Sequence, residues 1–205
     1  LEPELTTEQL TRLGRFMARL HNVGATVKAA PRLRLDPQTY GRDPLKFLKD
    51  GKLVPMELAS RFETIVTQIC DAITPRFEDV KYILLHGDCH SGNILWNRTD
   101  PYFIDFDDML YAPPVQDIWM LTGGDDGYGK EQRHILLDAY EQIRAFDMTT
   151  MQLIEPLRAL RMIHFSAWIA RRWEDSAFKA AFPAFGTEHY WQEQIEGLAK
   201  KKKKV

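Results

Sequence analysis

HGDCHSGNILWNRTDPYFIDFDD, residues 86–108, is the stretch whose reading decides the fold of the whole chain. It gathers His86, Asp88, His90, Asn93, Asp105, Asp107 and Asp108 into one short segment. A solvated surface loop could be as polar, but it would not interleave carboxylates with Ile94, Leu95, Trp96, Tyr102, Phe103, Ile104 and Phe106. Charged side chains set among apolar, strand-like runs must open into a cleft or be compensated, because an isolated buried charge is costly. The apolar runs 82–85, 94–96 and 102–106 read as strands, and Asn-Arg-Thr-Asp-Pro at 97–101 reads as a hairpin loop. A hairpin symmetric about Thr99 sets Asn93 opposite Asp105, an amide oxygen beside a carboxylate at the open end of two strands.

Outward from this segment the chain is helical. Upstream, Thr6 and Gln9 form a capping box, and Leu10, Leu13, Met17 and Leu20 follow at helical spacing. Prolines and basic residues break any period over 23–42, which predicts a long surface loop, with a single helical turn at 44–49. Pro55 opens a second helix with a stripe of Leu58, Phe62, Ile65, Ile69 and Ile73 ending near Phe77, and Cys70 beside the stripe reads as a small core residue. Downstream of Pro113-Pro114, residues 115–121 predict a short helix, and Gly123, Gly124, Gly127 and Gly129 mark a loop. A helix through Leu136 and Tyr140 to about Phe146 comes next. A long apolar helix then runs from Leu153 to Trp173, kinked or restarted at Pro156. Thr187 caps a last helix carrying Tyr190, Trp191, Ile195 and Leu198. The expected fold is mainly α with a small central β-hairpin.

Composition sets bounds on function. The chain has 205 residues, 44% hydrophobic and 27% charged, enough for one large soluble domain with a real core. Its formal charge of -2 argues against nucleic acid as a partner, since phosphate backbones call for a basic footprint. No apolar run approaches the roughly 20 residues needed to cross a bilayer, so no membrane partner is expected. Cys70 and Cys89 give no disulfide framework, which points to a reducing cytoplasm. The expected organisation is a monomer with one domain, residues 1–199, and a basic tail, residues 200–205, that is disordered or derived from expression.

The chemistry follows from residue types and spacing. Asn and Asp oxygens are hard ligands suited to Mg²⁺, which keeps few protein ligands and takes the rest from substrate phosphates. Phosphoryl transfer needs one carboxylate at the attacking hydroxyl and an Asn plus an Asp on the metal, which matches Asp88, Asn93 and Asp105. One rival is a transition-metal site at His86, Cys89 and His90. Three ligands within five residues rarely close a tetrahedron without a fourth from elsewhere. Another is nucleophilic chemistry at Cys89, for which no base or orienter is evident.

The segment resembles a known group. HGDCHSGN followed by a hairpin and IDFDD is similar to the catalytic and metal-binding loops of aminoglycoside phosphotransferases and choline kinases, with the H-x-D-x-x-x-x-N spacing of protein kinases. Within that group the chain most resembles the bacterial stress-response kinase A family. The residues that carry this are HGDCHSGNILW (86–96), PPVQDIWML (113–121), IEPLRALR (154–161) and ARRWEDSAF (170–178). The resemblance implies the large, C-terminal lobe of a protein-kinase-like fold performing ATP- and Mg²⁺-dependent phosphoryl transfer. Its acceptor would be a protein Ser/Thr hydroxyl or, alternatively, a small alcohol.

It further implies Asp88 as catalytic base, Asn93 and Asp105 as Mg²⁺ ligands, and His90 as a catalytic cation facing the transferring phosphoryl. His86 would brace the loop on the cofactor side, and Asp107 would stand with it there, as a second metal ligand or the partner of an Arg. Asp117 resembles the helix carboxylate that ties the catalytic loop from below. Asp107 stands where protein kinases carry a glycine. The sequence shows no glycine-rich strand loop and no V-A-I-K-like Lys, so the small lobe is expected to be absent, which keeps a non-catalytic binding module as a further alternative. Arg158, Arg161, Arg171 and Arg172 read as substrate-side cations, as helix-surface ion pairs, or as partners of Asp107 and Asp108. Phe165, Trp168, Trp173, Tyr190 and Trp191 read most simply as core, with a peptide-docking groove as the alternative.

Overall fold

The computed structural model of the chain describes residues 5–28, 31–123 and 127–205. These fall into two compact units, Leu1–Arg34 with Val80–Ile154, and Leu35–Asp79 with Glu155–Val205.

The first unit opens on α1 (Thr7–Thr26). Thr6 accepts the Gln9 backbone N–H at 3.2 Å, and the Gln9 side chain accepts the Thr6 N–H at 2.9 Å, which is the expected capping box. The helix buries Leu10, Leu13, Met17, Ala18 and His21. It packs on α5 (Gly127–Glu141) and on β1 (Ile83–Leu85). Gly24 permits that last approach, because a Cβ there would lie 1.9 Å from the Leu84 carbonyl oxygen.

Two small antiparallel sheets carry the central segment. β2 (Ile94–Asn97) pairs with β3 (Asp100–Phe103), and β1 pairs with β4 (Leu110–Ala112). The hairpin register, Ile94 to Phe103 and Asn97 to Asp100, leaves only Arg98-Thr99 as the turn. Arg98 takes φ 57°, the positive φ that a tight two-residue connection requires. The expected five-residue loop is therefore too long by three, and the expected pairing is off by one. Asn93 faces Ile104, whose N–H donates to the Asn93 carbonyl at 3.0 Å, and Asp105 lies one residue beyond. β4 has no counterpart in the sequence reading. It is also held from its other side, where the Tyr111 N–H donates to the Leu33 carbonyl at 2.8 Å.

α4 (Val115–Thr122) starts just after Pro113-Pro114, as expected, and is buried almost throughout. Gly127 and Gly129 belong to the first turn of α5 and are not loop, while Gly124 lies outside the described residues. α5 ends at Glu141, short of Phe146, which instead packs edge-on against Tyr140 at 5.7 Å.

The second unit is helical. A π-helical turn, Gln38–Arg42, leads directly into α2 (Asp43–Asp50), so this region holds more helix than its broken periodicity suggests. α3 (Met56–Ile73) follows Pro55 and buries Leu58, Phe62, Val66, Ile69, Cys70 and Ile73. Ile65 is only half-buried, and Val66 takes its place in the core. α6 (Ile154–Arg171) runs unbroken through Pro156, which sits in the first turn, where no helical N–H is lost. α7 (Ser176–Ala181) was not expected; Asp175 caps it by accepting the Ala177 N–H at 2.8 Å. α8 (Glu188–Lys202) starts at the Thr187 cap, as expected, and buries Trp191, Ile195 and Leu198 against α3. It continues into the lysine run. Lys201 pairs with Glu155 at 2.8 Å and Lys202 bonds Gln68 at 2.7 Å, so these two lysines are helical and anchored. Among the described residues no helix is long and apolar enough to cross a membrane.

Candidate active site

The site is built from the loop that joins β1 to β2 and from the residues after β3. Two turns shape the loop. Gly87 adopts φ +86°, and a Cβ there would come within 2.6 Å of the Asp108 carbonyl oxygen, so only glycine fits where the two loops touch. Residues Ser91–Asn93 then form one 3₁₀ turn capped by His90, whose Nδ1 accepts the Gly92 N–H at 3.1 Å.

That cap fixes the other end of the imidazole. With Nδ1 accepting, the ring proton of neutral His90 sits on Nε2, 3.4 Å from Asp88 Oδ2. On its other side, the Asn93 amide nitrogen donates to the Asp88 carbonyl at 3.0 Å and approaches Asp88 Oδ2 at 3.5 Å. Asp88, His90 and Asn93 are thus brought together. Asn93 is buried, and its committed nitrogen leaves the amide oxygen as the end available to a ligand.

Asp105 is reached through backbone. The Asn93 carbonyl holds Ile104, and the buried His86 donates from Nε2 to the Ile104 carbonyl at 2.8 Å while packing on Phe103 and Phe106. Past that double anchor, Asp105 adopts φ 62° and ψ 65°, a left-handed conformation that costs a non-glycine residue about 1–2 kcal/mol. The chain turns there, and the Asp105 side chain is left exposed. His86, fully buried, acts on the site through Ile104 and presents no surface to a cofactor. Asp107 is exposed; Arg32 bonds its backbone carbonyl, so an arginine is present but holds the main chain.

Asp117 lies beneath the loop, fully buried on α4. Its Oδ1 accepts the Gly87 N–H at 2.9 Å and its Oδ2 the His86 N–H at 3.2 Å. Sequence reasoning missed the rest of this support. His21 Nε2 lies 3.2 Å from Asp117 Oδ2, and its Nδ1 is 2.9 Å from the Tyr140 hydroxyl. His21 donates from Nε2 to the Asp117 carboxylate, and burial pushes the Tyr140 phenol up from its ordinary value. Gln116 adds a bond to the Gly87 carbonyl at 3.2 Å. A histidine on the apolar face of α1 was the one available signal.

The rival chemistries find no support here. Burial, followed by the charges of Asp117 and Asp88, holds the Cys89 thiol well above its ordinary range, which disfavours the thiolate a nucleophile needs. Among the described residues no three His, Cys, Asp or Glu side chains converge as a metal cage, which removes the His86, Cys89 and His90 centre. Asn93 and Asp105 instead offer two hard oxygens, a donor set that fits Mg²⁺ completed by water and substrate oxygens.

Comparison with known proteins adds to this geometry. Residues 1–154 match APH, the phosphotransferase enzyme family. Stress response kinase A of Escherichia coli strain K12 is 39% identical over 188 residues, covering 91% of this chain and 57% of that protein. Serine/threonine protein kinase RdoA of Salmonella typhimurium strain LT2 is 38% identical over the same length and coverage. The chain therefore spans a little over half the length of these relatives. Among solved structures, spectinomycin phosphotransferase APH(9)-Ia in complex with ADP and spectinomycin superposes with a TM-score of 0.63 at 17% identity, over 100% of this chain and 68% of that one. Amicoumacin kinase hAmiN in complex with AMP-PNP and Ca²⁺ gives 0.62 at 20% identity, over 94% of this chain and 60% of that one. The fold is that of the aminoglycoside phosphotransferases and choline kinases, protein-kinase-like and mainly helical with small antiparallel sheets.

Proposed function

Since the chain belongs to the APH phosphotransferase enzyme family, we propose that it is the catalytic lobe of an ATP- and Mg²⁺-dependent kinase that phosphorylates Ser/Thr hydroxyls of proteins. The observation that carries this reading is the joint fixing of Asp88 and Asn93, with Asp105 held in a left-handed turn by the backbone bonds at Ile104.

In this reading the Asp88 carboxylate accepts the proton of the attacking hydroxyl. That oxygen bonds to the terminal phosphorus as the bond to the leaving nucleoside diphosphate oxygen breaks. His90, with Nε2 aimed at Asp88, orients the carboxylate. Asn93 and Asp105 would hold Mg²⁺, which when bound neutralises charge on the phosphate oxygens. His86 and Asp117 keep the two loops in register.

The protein acceptor is supported by the two relatives, named as kinases of the stress response and of Ser/Thr in proteins. A small alcohol is the second reading, supported by structural neighbours named as a spectinomycin phosphotransferase and an amicoumacin kinase. The test is transfer from labelled ATP, in the full-length protein, with a protein fraction and with a panel of small alcohols. Label on Ser/Thr of protein supports the first reading, and label only on a small alcohol overturns it in favour of the second. Asp88→Asn should lower transfer by at least about a thousandfold while leaving the melting temperature within a few degrees. Near-normal turnover by that variant would remove Asp88 from the role of proton acceptor.

A further inference from the structure

The second unit carries a surface that the catalytic reading does not use. Arg161, His164, Phe165, Trp168, Arg171 and Arg172 recur at i, i+3, i+4, i+7, i+10 and i+11, which places them on one face of α6 and its C-terminal end. None of them is fully buried, and Phe165 is 38% exposed. Core was the simpler expectation for Phe165 and Trp168; the two rings stack parallel at 5.5 Å, pack on Phe178 and Phe182 along one side, and stay partly exposed on the other.

The arginines on this face are held by rings. The Arg172 guanidinium lies 4.5 Å from the centre of the Trp168 ring and bonds the Trp168 carbonyl at 3.4 Å; that of Arg171 lies 4.8 Å from the centre of Phe47. Among the described residues neither has a carboxylate within ion-pair distance. Stacking orders the planar groups in advance, and the edge donors of Arg171 and the remaining ones of Arg172 are available to an anion. His164, stacked on Tyr40 at 3.9 Å, reports the field of this cluster: burial, then Arg171, Arg161 and Arg172, lower it to about 4, so it is neutral at physiological pH. Ring-held cations beside exposed aromatic rings, in a chain of net charge -2, make a local positive face in need of negative charge.

We infer that this face of α6 docks an acidic segment of a partner protein, its carboxylates paired with Arg171 and Arg172 and its apolar side chains laid on Phe165 and Trp168. Naming that partner a substrate rests on the protein-kinase reading. Binding does not, and it is measured without nucleotide, so a failure of transfer and a failure of docking are told apart.

The experiment is fluorescence anisotropy with a labelled Asp/Glu-rich peptide containing Ser and Phe, compared with its Asn/Gln counterpart. Wild type should bind the acidic peptide at least about tenfold more tightly, with affinity falling as salt rises. The Arg171→Gln/Arg172→Gln double variant should lose that preference, while Arg19→Gln, an exposed arginine on α1, should keep it. Circular dichroism checks that the variants are folded, and Phe165→Ser supplies an uncharged second probe that should also weaken binding. Equal affinity for both peptides, or an unchanged double variant, overturns the proposal. So does binding by this chain that vanishes in the full-length protein, which would make the face an internal contact. Tighter arginine-dependent binding of single-stranded DNA or phosphatidylserine vesicles than of the peptide overturns it as well.

Discussion

Asp117 is the residue on which the site's geometry depends most. A carboxylate offers two acceptor atoms, and here both are used, one for each of two successive backbone N–H groups of the loop that carries Asp88, with His21 as a third donor. Asp117→Asn replaces one acceptor by an NH₂ group that meets a buried N–H head-on. The expected cost is about 2–4 kcal/mol in urea unfolding, together with a loss of transfer although no reacting group is touched. A variant within about 0.5 kcal/mol of wild type would show that the loop does not hang from this carboxylate. Asp105 allows strain to be separated from function. Its left-handed backbone penalises Ala but not Gly, so Asp105→Gly should be about 1 kcal/mol more stable than Asp105→Ala. Both variants should lose Mg²⁺-dependent nucleotide binding in calorimetry. Retained metal-dependent affinity in either would take Asp105 out of the metal site.

Among the elements, α1 shows how a close approach can outweigh intrinsic propensity. Ala favours a helix interior over Gly by about 1 kcal/mol, but a Cβ at position 24 would sit 1.9 Å from a carbonyl oxygen of β1. Backbone cannot yield as a flexible side chain can, so Gly24→Ala should destabilise by about 1–3 kcal/mol in thermal or urea unfolding, and a gain in stability would contradict the packing. The same contrast between local and distant signals explains what the sequence disclosed. Helix starts at Thr6, Pro55 and Thr187 were legible because a cap is written within four residues. That Asp88, His90 and Asn93 come together was legible because their spacing lies within one segment. The hairpin register was not, since Arg98 takes a positive φ without the Asn-Gly or Asp-Gly pair that marks such turns. β4 is three residues long and its partner precedes the whole hairpin, and the three-residue spacing of Leu110–Ala112 gives no period to detect. His21 meets Asp117 across most of the first unit, a contact made by the fold and not by any local pattern.

Across the whole molecule, acid sensitivity should fall unevenly on the two units. His164 and Glu155 both lie in the second. His164 has its pKa depressed by burial and neighbouring guanidiniums from 6.5 to about 4, so the unfolded chain takes up a proton that the folded one refuses. The resulting stability is present above pH 6.5 and is lost as pH falls toward 4, by about 2 kcal/mol between pH 7.5 and 5. Glu155 acts in the same direction. Burial works to raise its pKa, but the bonds from Lys201 and Arg158 prevail and lower it, so its contribution is also lost in acid as it is protonated. Hydrogen exchange at pH 5, corrected for intrinsic rates and compared with pH 7.5, should therefore show protection falling first in α3, α6 and α8, while α1 and α5 hold. His164→Gln removes the imidazole proton uptake, so the difference in unfolding free energy between pH 7.5 and pH 5 should shrink by about 2 kcal/mol relative to wild type. An unchanged difference would mean that His164 titrates normally in the folded protein, and protection lost first in α1 would place the acid-labile groups in the first unit.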